Sequence, residues 1–240
     1  FPSLDGFSLD DYYNRVNLSS GWFKIQKNVD KYTVTKNIHS AYAEATYQFT
    51  SRWIVNLGLK YDYVDINVDY NVNRGGSEGS NTIRKDYFLP SLNLKYNLNE
   101  KHSLRLGASK TYTLPQAKEI SPYRYVGVNF NSQGNPNLKP SDNYNFDLKW
   151  DFNPSPTELV SLTAFYKHIK EPISRIEVAS AGGYLSYENI SDCAIVAGVE
   201  VEIRKNLFVR PLSSAANGMN KLSFGLNGSY IYTNAKMPLA

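Results

Sequence analysis

The 240-residue chain reads as an all-β protein, a run of antiparallel strands from a transmembrane β-barrel. Three observations predict this. Apolar and polar residues alternate with period two along most of the chain, short connections alternate with long ones, and aromatic residues gather at both ends of the strands. Period two puts successive side chains on opposite faces of a strand. Trimmed turns at one end and elaborated loops at the other are the habit of up-and-down barrels. Aromatic belts on either side of an apolar band mark the two membrane–water boundaries.

The strands follow in order. From Trp53 to Tyr63 the odd positions are Trp53, Val55, Leu57, Leu59, Tyr61 and Tyr63, opposite Ile54, Asn56, Gly58, Lys60 and Asp62. From Tyr144 the apolar set is Tyr144, Phe146, Leu148, Trp150 and Phe152, opposite Asn145, Asp147, Lys149 and Asp151. Ile195–Arg204 sets Ile195, Ala197, Val199, Val201 and Ile203 against Gly198, Glu200, Glu202 and Arg204. Leu222–Tyr232 repeats the pattern, and weaker versions run through Ala41–Phe49, Leu92–Leu98, Leu104–Tyr112 and Val160–Tyr166. That makes about eight strands, several near the length that crosses a bilayer when tilted.

Phe49–Arg52, Asn97–His102 and Asn153–Pro156 are tight turns. Val64–Lys85, Thr113–Ser141 and Lys167–Ser186 are long links. Phe49, Trp53, Tyr96, Trp150 and Phe152 flank the short turns; Tyr61, Tyr63, Tyr87, Tyr112 and Tyr144 flank the long loops. The charged faces carrying Lys60, Asp62, Asp147, Lys149, Glu200, Glu202 and Arg204 are too polar for a packed core and predict a lumen lining.

Composition fits a boundary protein. There are 19 Tyr, 11 Phe and 3 Trp, and Tyr has an apolar ring with a wet hydroxyl. Mean hydropathy is −0.44, and no run approaches the roughly 18 apolar residues of a membrane helix, a test blind to strands. Net charge is +4 without a basic block, which argues against nucleic acid. Cys193 is the single cysteine, so the chain has no internal disulfide and no cysteine metal site. His39, His102 and His168 are scattered and predict no metal centre. Asp65–Asn71 has Tyr70 where a calcium loop needs glycine, and Arg74–Asn81 lacks the context of a phosphate cradle. No Ser, His and carboxylate set assembles, so neither an enzyme nor a cofactor is expected. The loop residues Tyr123, Arg124, Tyr125, Asn129, Tyr184 and Tyr187 are the candidates for contact with a small ligand, since aromatic faces beside amides and an arginine suit one.

The segment Gly134–Pro140, GNPNLKP, stands before the strand ending DLKW. Upstream is LRLGASKTYTLPQAKEISPY; downstream are FYKHIKEPI and YENISDCAIVAGVEVEIR, with Asn189, Ala194 and Gly198–Glu200 in succession. In order and spacing, over roughly Ile38 to Thr233, this resembles the barrel of TonB-dependent outer-membrane receptors. Leu114-Pro115 departs from the Arg-Pro pair common at that point. The resemblance implies a Gram-negative outer membrane and a barrel of about 22 strands with a plugged lumen. It also implies import of a scarce ligand (siderophore, glycan, peptide or vitamin), driven by the TonB energising complex acting on parts N-terminal to this segment. Outer-membrane lipid would surround the barrel, and a surface lipoprotein partner stays open.

The chain opens on Phe1 without an initiator Met, and strand parity would start and end it extracellularly. The expectation is therefore a piece from the C-terminal half of such a barrel. Its parts would be 1–37 as extracellular loop, 38–234 as partial barrel and 235–240 as the start of another outer loop. In GNPNLKP, Pro136 and Pro140 fix φ and withhold backbone donors, while Gly134 and Asn135 allow a reversal, which predicts a structural corner. The alternatives are a small passive barrel, an outer-membrane enzyme and a soluble β-sandwich binding module.

Overall fold

The structure, a computed structural model, describes residues 31–72, 77–127, 131–178, 183–211 and 219–235. Its elements in chain order are β1 (Lys31–Gln48), β2 (Trp53–Val72), β3 (Ser77–Asn97), β4 (His102–Thr113), α1 (Ala117–Ile120), β5 (Arg124–Val126), β6 (Asn131–Gln133), β7 (Ser141–Phe152), β8 (Leu159–Lys170), β9 (Ile173–Val178), β10 (Tyr184–Asn189), β11 (Cys193–Pro211) and β12 (Met219–Ala235). Eight of them form one sheet in the order β1-β2-β3-β4-β7-β8-β11-β12, every neighbouring pair antiparallel. The four short strands form a second sheet, β5-β6-β10-β9, above the rim. The large sheet is an open section of barrel wall.

Each neighbour in the wall follows its predecessor across a turn or loop, so the ladders satisfy the backbone groups that lipid cannot. The short turns also clasp one another: Asn97 N–H donates to Arg52 O at 2.8 Å, and Asn153 N–H to Lys101 O at 2.7 Å. One face of the wall is an exposed apolar band that includes Leu57, Leu59, Phe88, Leu106, Phe146, Leu148, Val201 and Leu226. At its short-turn edge Trp53 stacks on Tyr96 at 4.3 Å, and His102 lies on Phe152 at 4.4 Å and Trp150 at 5.7 Å. At its long-loop edge Tyr61 meets Phe88 at 5.2 Å, and His39 stacks on Tyr63 at 6.4 Å.

Two expectations are corrected here. The stretch Val64–Lys85 is mostly ladder, since β2 and β3 stay paired from Trp53–Tyr96 up to Val72–Ser77. β1 likewise starts at Lys31, so 31–37 is strand; residues 1–30 and 236–240 lie outside the described residues. The reason is that alternation continues past Tyr63 with its sign reversed. Below that point the even positions of β2 after Ile54 are Asn56, Gly58, Lys60 and Asp62, and the odd ones are apolar. Above it the even positions are Val64, Ile66, Val68, Tyr70 and Val72, all buried but the half-buried Tyr70, and the odd ones are Asp65, Asn67, Asp69 and Asn71. Inside the membrane the outer face meets lipid and the inner face water. Above the membrane the outer face meets water and the inner face meets protein. At about 3.3 Å per residue, β2 is roughly 66 Å long, well beyond what a bilayer needs.

The second correction concerns the outer belt. Tyr87 and Tyr112 are not at the lipid boundary; their rings stack at 4.0 Å, and Tyr87 is 1% exposed. The β3–β4 ladder stops at Ser91–Ser109, beside Pro90, which has no N–H to extend it. Above that break β1, β2 and β3 stand as a blade, and Tyr87 and Tyr112 fill the seam between the blade and β4. The buried core sits here, above the band: Val64, Ile66, Val68 and Tyr87 pack with Ile120 and Leu138 from the loops. Leu114, Ile173 and Tyr187 border it.

We expect Ile66→Ala to destabilise the cap by about 2–5 kcal/mol, because the closed core leaves a cavity. Leu57→Ala, on the exposed band, costs less. Calorimetry of the protein extracted in detergent checks the order of the two; equal shifts would contradict a packed core above the band.

Candidate functional site

GNPNLKP is the corner on which the outer cap is assembled. A Cβ on Gly134 would fall 2.1 Å from the Ser121 carbonyl oxygen and 2.6 Å from that of Lys118, so only glycine lets the chain lie against the end of α1. Asn135 N–H donates to Glu119 O at 2.6 Å, and its side-chain amide donates to Tyr187 O at 2.9 Å. Asn137 N–H closes an Asx turn on Asn135 Oδ1 at 2.9 Å. Asn81, on the blade, donates to the Pro136 carbonyl. Pro140 is buried, and Leu138 enters the core at 3% exposed.

Asn189 holds the other side of this corner. Its Oδ1 accepts from Lys139 N–H at 2.9 Å, while its Nδ2 donates to Lys139 O at 3.0 Å and to Glu171 O at 2.8 Å. One side-chain amide thus pairs both backbone groups of Lys139, as a neighbouring strand would. The Glu171 carbonyl also accepts from Ser141 Oγ at 2.8 Å. These two donors hold Glu171 at φ 50, a left-handed conformation that a non-glycine residue keeps only under such constraint.

The polar face of the wall is laced with ion pairs. Lys60 Nζ lies 2.8 Å from Asp62 Oδ2, which also accepts from Tyr112 Oη at 2.8 Å. Asp151 accepts two cations at 3.5 Å each, Arg105 and Lys149. Arg204 Nη2 lies 2.5 Å from Glu202 Oε1. By register Asp147 faces Gly107 and Phe165, and Glu200 faces Thr163 and Ser229. Lys60, Asp62, Asp147, Lys149, Glu200, Glu202 and Arg204 therefore share the face opposite the apolar band. Alternation alone does not single out Arg105; its place opposite Lys149 does.

Of the ligand-contact residues read from sequence, Tyr123, Arg124, Tyr125 and Tyr184 come together. The parallel pairing of β6 with β10, Asn131 with Tyr184, brings two loops distant in sequence into one small sheet. Arg124 lies over the Tyr184 ring at 5.6 Å. A cavity of about 330 Å³ is lined by Tyr32, Lys118, Tyr123, Tyr125, Ser132 and Gly134. Tyr32 faces Tyr123 at 5.7 Å, and Lys118 Nζ sits over Tyr125 at 5.1 Å. Tyr187 instead turns towards the core, and Asn129 lies outside the described residues. Tyr32 and Lys118 are additions of the tertiary structure: the first comes from the blade, some 90 positions from its partner, and the second from α1. No group of three or more metal-ligating side chains occurs among the described residues.

A wall with one apolar face, one ion-paired face and an elaborated outer end defines a section of an outer-membrane β-barrel. Residues 3–239 match the family of TonB dependent receptor-like β-barrels, and the chain belongs to it. It is 31% identical over 91 residues to an iron-regulated outer membrane virulence protein of Vibrio cholerae serotype O1, covering 38% of this chain and 14% of that protein. Among solved structures it resembles the siderophore receptor PirA of Pseudomonas aeruginosa (TM-score 0.53, 16% identity, 83% of this chain and 43% of that one). It also resembles the ferric yersiniabactin uptake receptor FyuA of Yersinia pestis (TM-score 0.55, 18% identity, 85% and 28%). The chain thus spans less than half the length of each of these proteins.

Asn189→Ala should leave the Lys139 and Glu171 carbonyls short of a donor and cost about 1–3 kcal/mol. The expected outcome is faster tryptic cleavage of the cap at Lys118, Arg124 or Arg175 in isolated outer membranes. An unchanged cleavage rate would remove Asn189 from its clamping role.

Proposed function

We propose that this chain is the wall and outer cap of a TonB-dependent importer that captures a small anionic chelate, with ferric siderophores the leading class. The observation that carries the reading is the cap cavity, whose aromatic walls hold Lys118 at the rim and Arg124 in the adjoining strand. Aromatic rings supply flat, rigid contact area, and the two cations supply charge complementarity to an anionic ligand. The names of the iron-regulated relative and of the siderophore-receptor neighbours support the same ligand class.

Tyr123, Arg124, Tyr125 and Tyr184 are the contact residues in this reading, joined by Tyr32 and Lys118. The ion-paired residues from Lys60 to Arg204 line the aqueous passage, where fixed charges of both signs keep the lumen wet without favouring one sign strongly. Asn135, Pro136 and Pro140 hold the capture loops rigid, and Gly134, which also lines the cavity, lets them close on α1. Energy would come from the TonB complex acting on a plug in the parent receptor. The chain performs no covalent chemistry in this reading.

The test is ligand binding to the protein extracted in detergent, followed by tryptophan fluorescence or calorimetry with a panel of ferric chelates and, as comparison, neutral glycans. Lys118→Gln and Arg124→Gln should each weaken an anionic chelate about tenfold or more. Binding of neutral glycans alone, or indifference to both substitutions, would overturn the ligand class.

A further inference from the structure

We propose that the outer face of β4, β7 and β8, just above the apolar band, binds the phosphorylated headgroup of an outer-leaflet lipid. The surface lies on the lipid side of the wall. Lys110, Tyr144 and His168 are direct cross-strand neighbours, Lys110 with Tyr144 and Tyr144 with His168. They continue the faces that carry Ala108, Phe146 and Tyr166 one step lower, in the apolar band. Acyl chains covering Phe146 and Leu148, both half exposed, put lipid headgroups at the height of Tyr144.

The charge at that height is positive and incompletely matched. The Tyr144 ring lies between two ammonium groups, Lys110 Nζ at 5.7 Å and Lys170 Nζ at 5.5 Å, with the His168 ring tilted beside it at 6.2 Å. Asp142 is the carboxylate in the group, and it is already shared: Lys85 Nζ is 3.2 Å away and Lys110 Nζ 3.8 Å. Lys170 is exposed and has no carboxylate within 4 Å among the described residues. On β4, β7 and β8 two ammonium groups, Lys110 and Lys170, stand against the one carboxylate of Asp142, which Lys85 of the blade also engages, so the surface keeps a net positive charge.

The same level of the blade is different. There Arg84 pairs with Asp65 at 3.3 Å, and Asp86 accepts from Tyr61 Oη at 2.5 Å, so acidic groups outnumber basic ones. The cationic surface is therefore confined to β4, β7 and β8. A phosphate there gains attraction from two lysines in a partly desolvated setting, while Tyr144 offers a ring for the sugar or glycerol beneath it.

The experiment uses the protein extracted from outer membranes in a zwitterionic detergent and read by native mass spectrometry. Dioleoylphosphatidylglycerol and dioleoylphosphatidylcholine are titrated against it. The expected result is retention of the anionic lipid in preference to the zwitterionic one. Removing charge should cut that preference about fivefold per lysine, so roughly twentyfold for Lys110→Gln with Lys170→Gln. Lys110→Arg with Lys170→Arg should keep it, and Lys95→Gln, on the polar face, should not change it. Unheated gel mobility reports folding; should the double variant misfold, Lys170→Gln alone serves, because Lys170 makes no ion pair among the described residues. Equal retention of the two lipids, an unchanged preference in the Lys→Gln variants, or complete displacement of lipid by millimolar inorganic phosphate would each overturn the proposal.

Discussion

The structure rests on an unbroken row of backbone hydrogen bonds across a wall whose outer side meets lipid, not water, along the apolar band. In lipid an unpaired N–H or C=O costs several kcal/mol, so each of the eight long strands must pair along the whole apolar band. Pairing fixes register, and register fixes which residues share a face. The ion pairs of Asp151, the aromatic stacks at both edges and the packing of Phe165 over Gly198 all follow from that alignment. Adding a Cβ to Gly198 would put it 2.6 Å from the Phe165 ring, a contact that a slip of one residue would abolish.

Where the lipid ends, the constraint changes. The ladder between β3 and β4 lapses at Ser91–Ser109, and the blade above it must be held by side chains. Its inner face supplies Val64, Ile66 and Val68, the loops supply Ile120 and Leu138, and a small protein core forms outside the membrane. Asparagines do much of the remaining work. Asn81 and Asn189 each spend a side-chain amide on a loop carbonyl, where prolines and reversals have removed the regular ladder, and Asn135 spends its own on the Tyr187 carbonyl of β10. An amide both donates and accepts, so one residue can replace a strand neighbour, as Asn189 does for Lys139.

This rigidity bears on function. A cavity made from one blade residue, one helical turn and two small strands keeps its shape only if those pieces are tied together. GNPNLKP ties them: Gly134 and Asn135 seat it on α1, Asn81 reaches it from the blade, and Asn189 of β10 joins it to the turn at Glu171. The corner lies next to the candidate ligand surface and prepares its geometry, which lowers the ordering cost of binding.

The strands and the two faces of the wall were legible in the sequence, because period-two alternation is a local signal and the apolar band demands it. The short turns and the long links after Thr113 and Lys170 were legible through their turn residues, whereas Val64–Lys85 proved to be mostly ladder, and the clustering of Tyr123, Arg124 and Tyr125 was visible as a run. The blade was not, because the reversal of polarity after Tyr63 breaks a fixed pattern although the strand continues. Nor was the burial of Tyr87 and Tyr112, since a tyrosine at a strand end suits a membrane boundary and a seam equally. The meeting of Tyr32 with Tyr123, and of Arg124 with Tyr184, depends on pairings between distant segments. Local residue order thus determined which face of each strand seeks lipid, through side-chain period. Only the tertiary structure decided where the membrane stops and which loops meet above it, because those depend on what lies across the sheet.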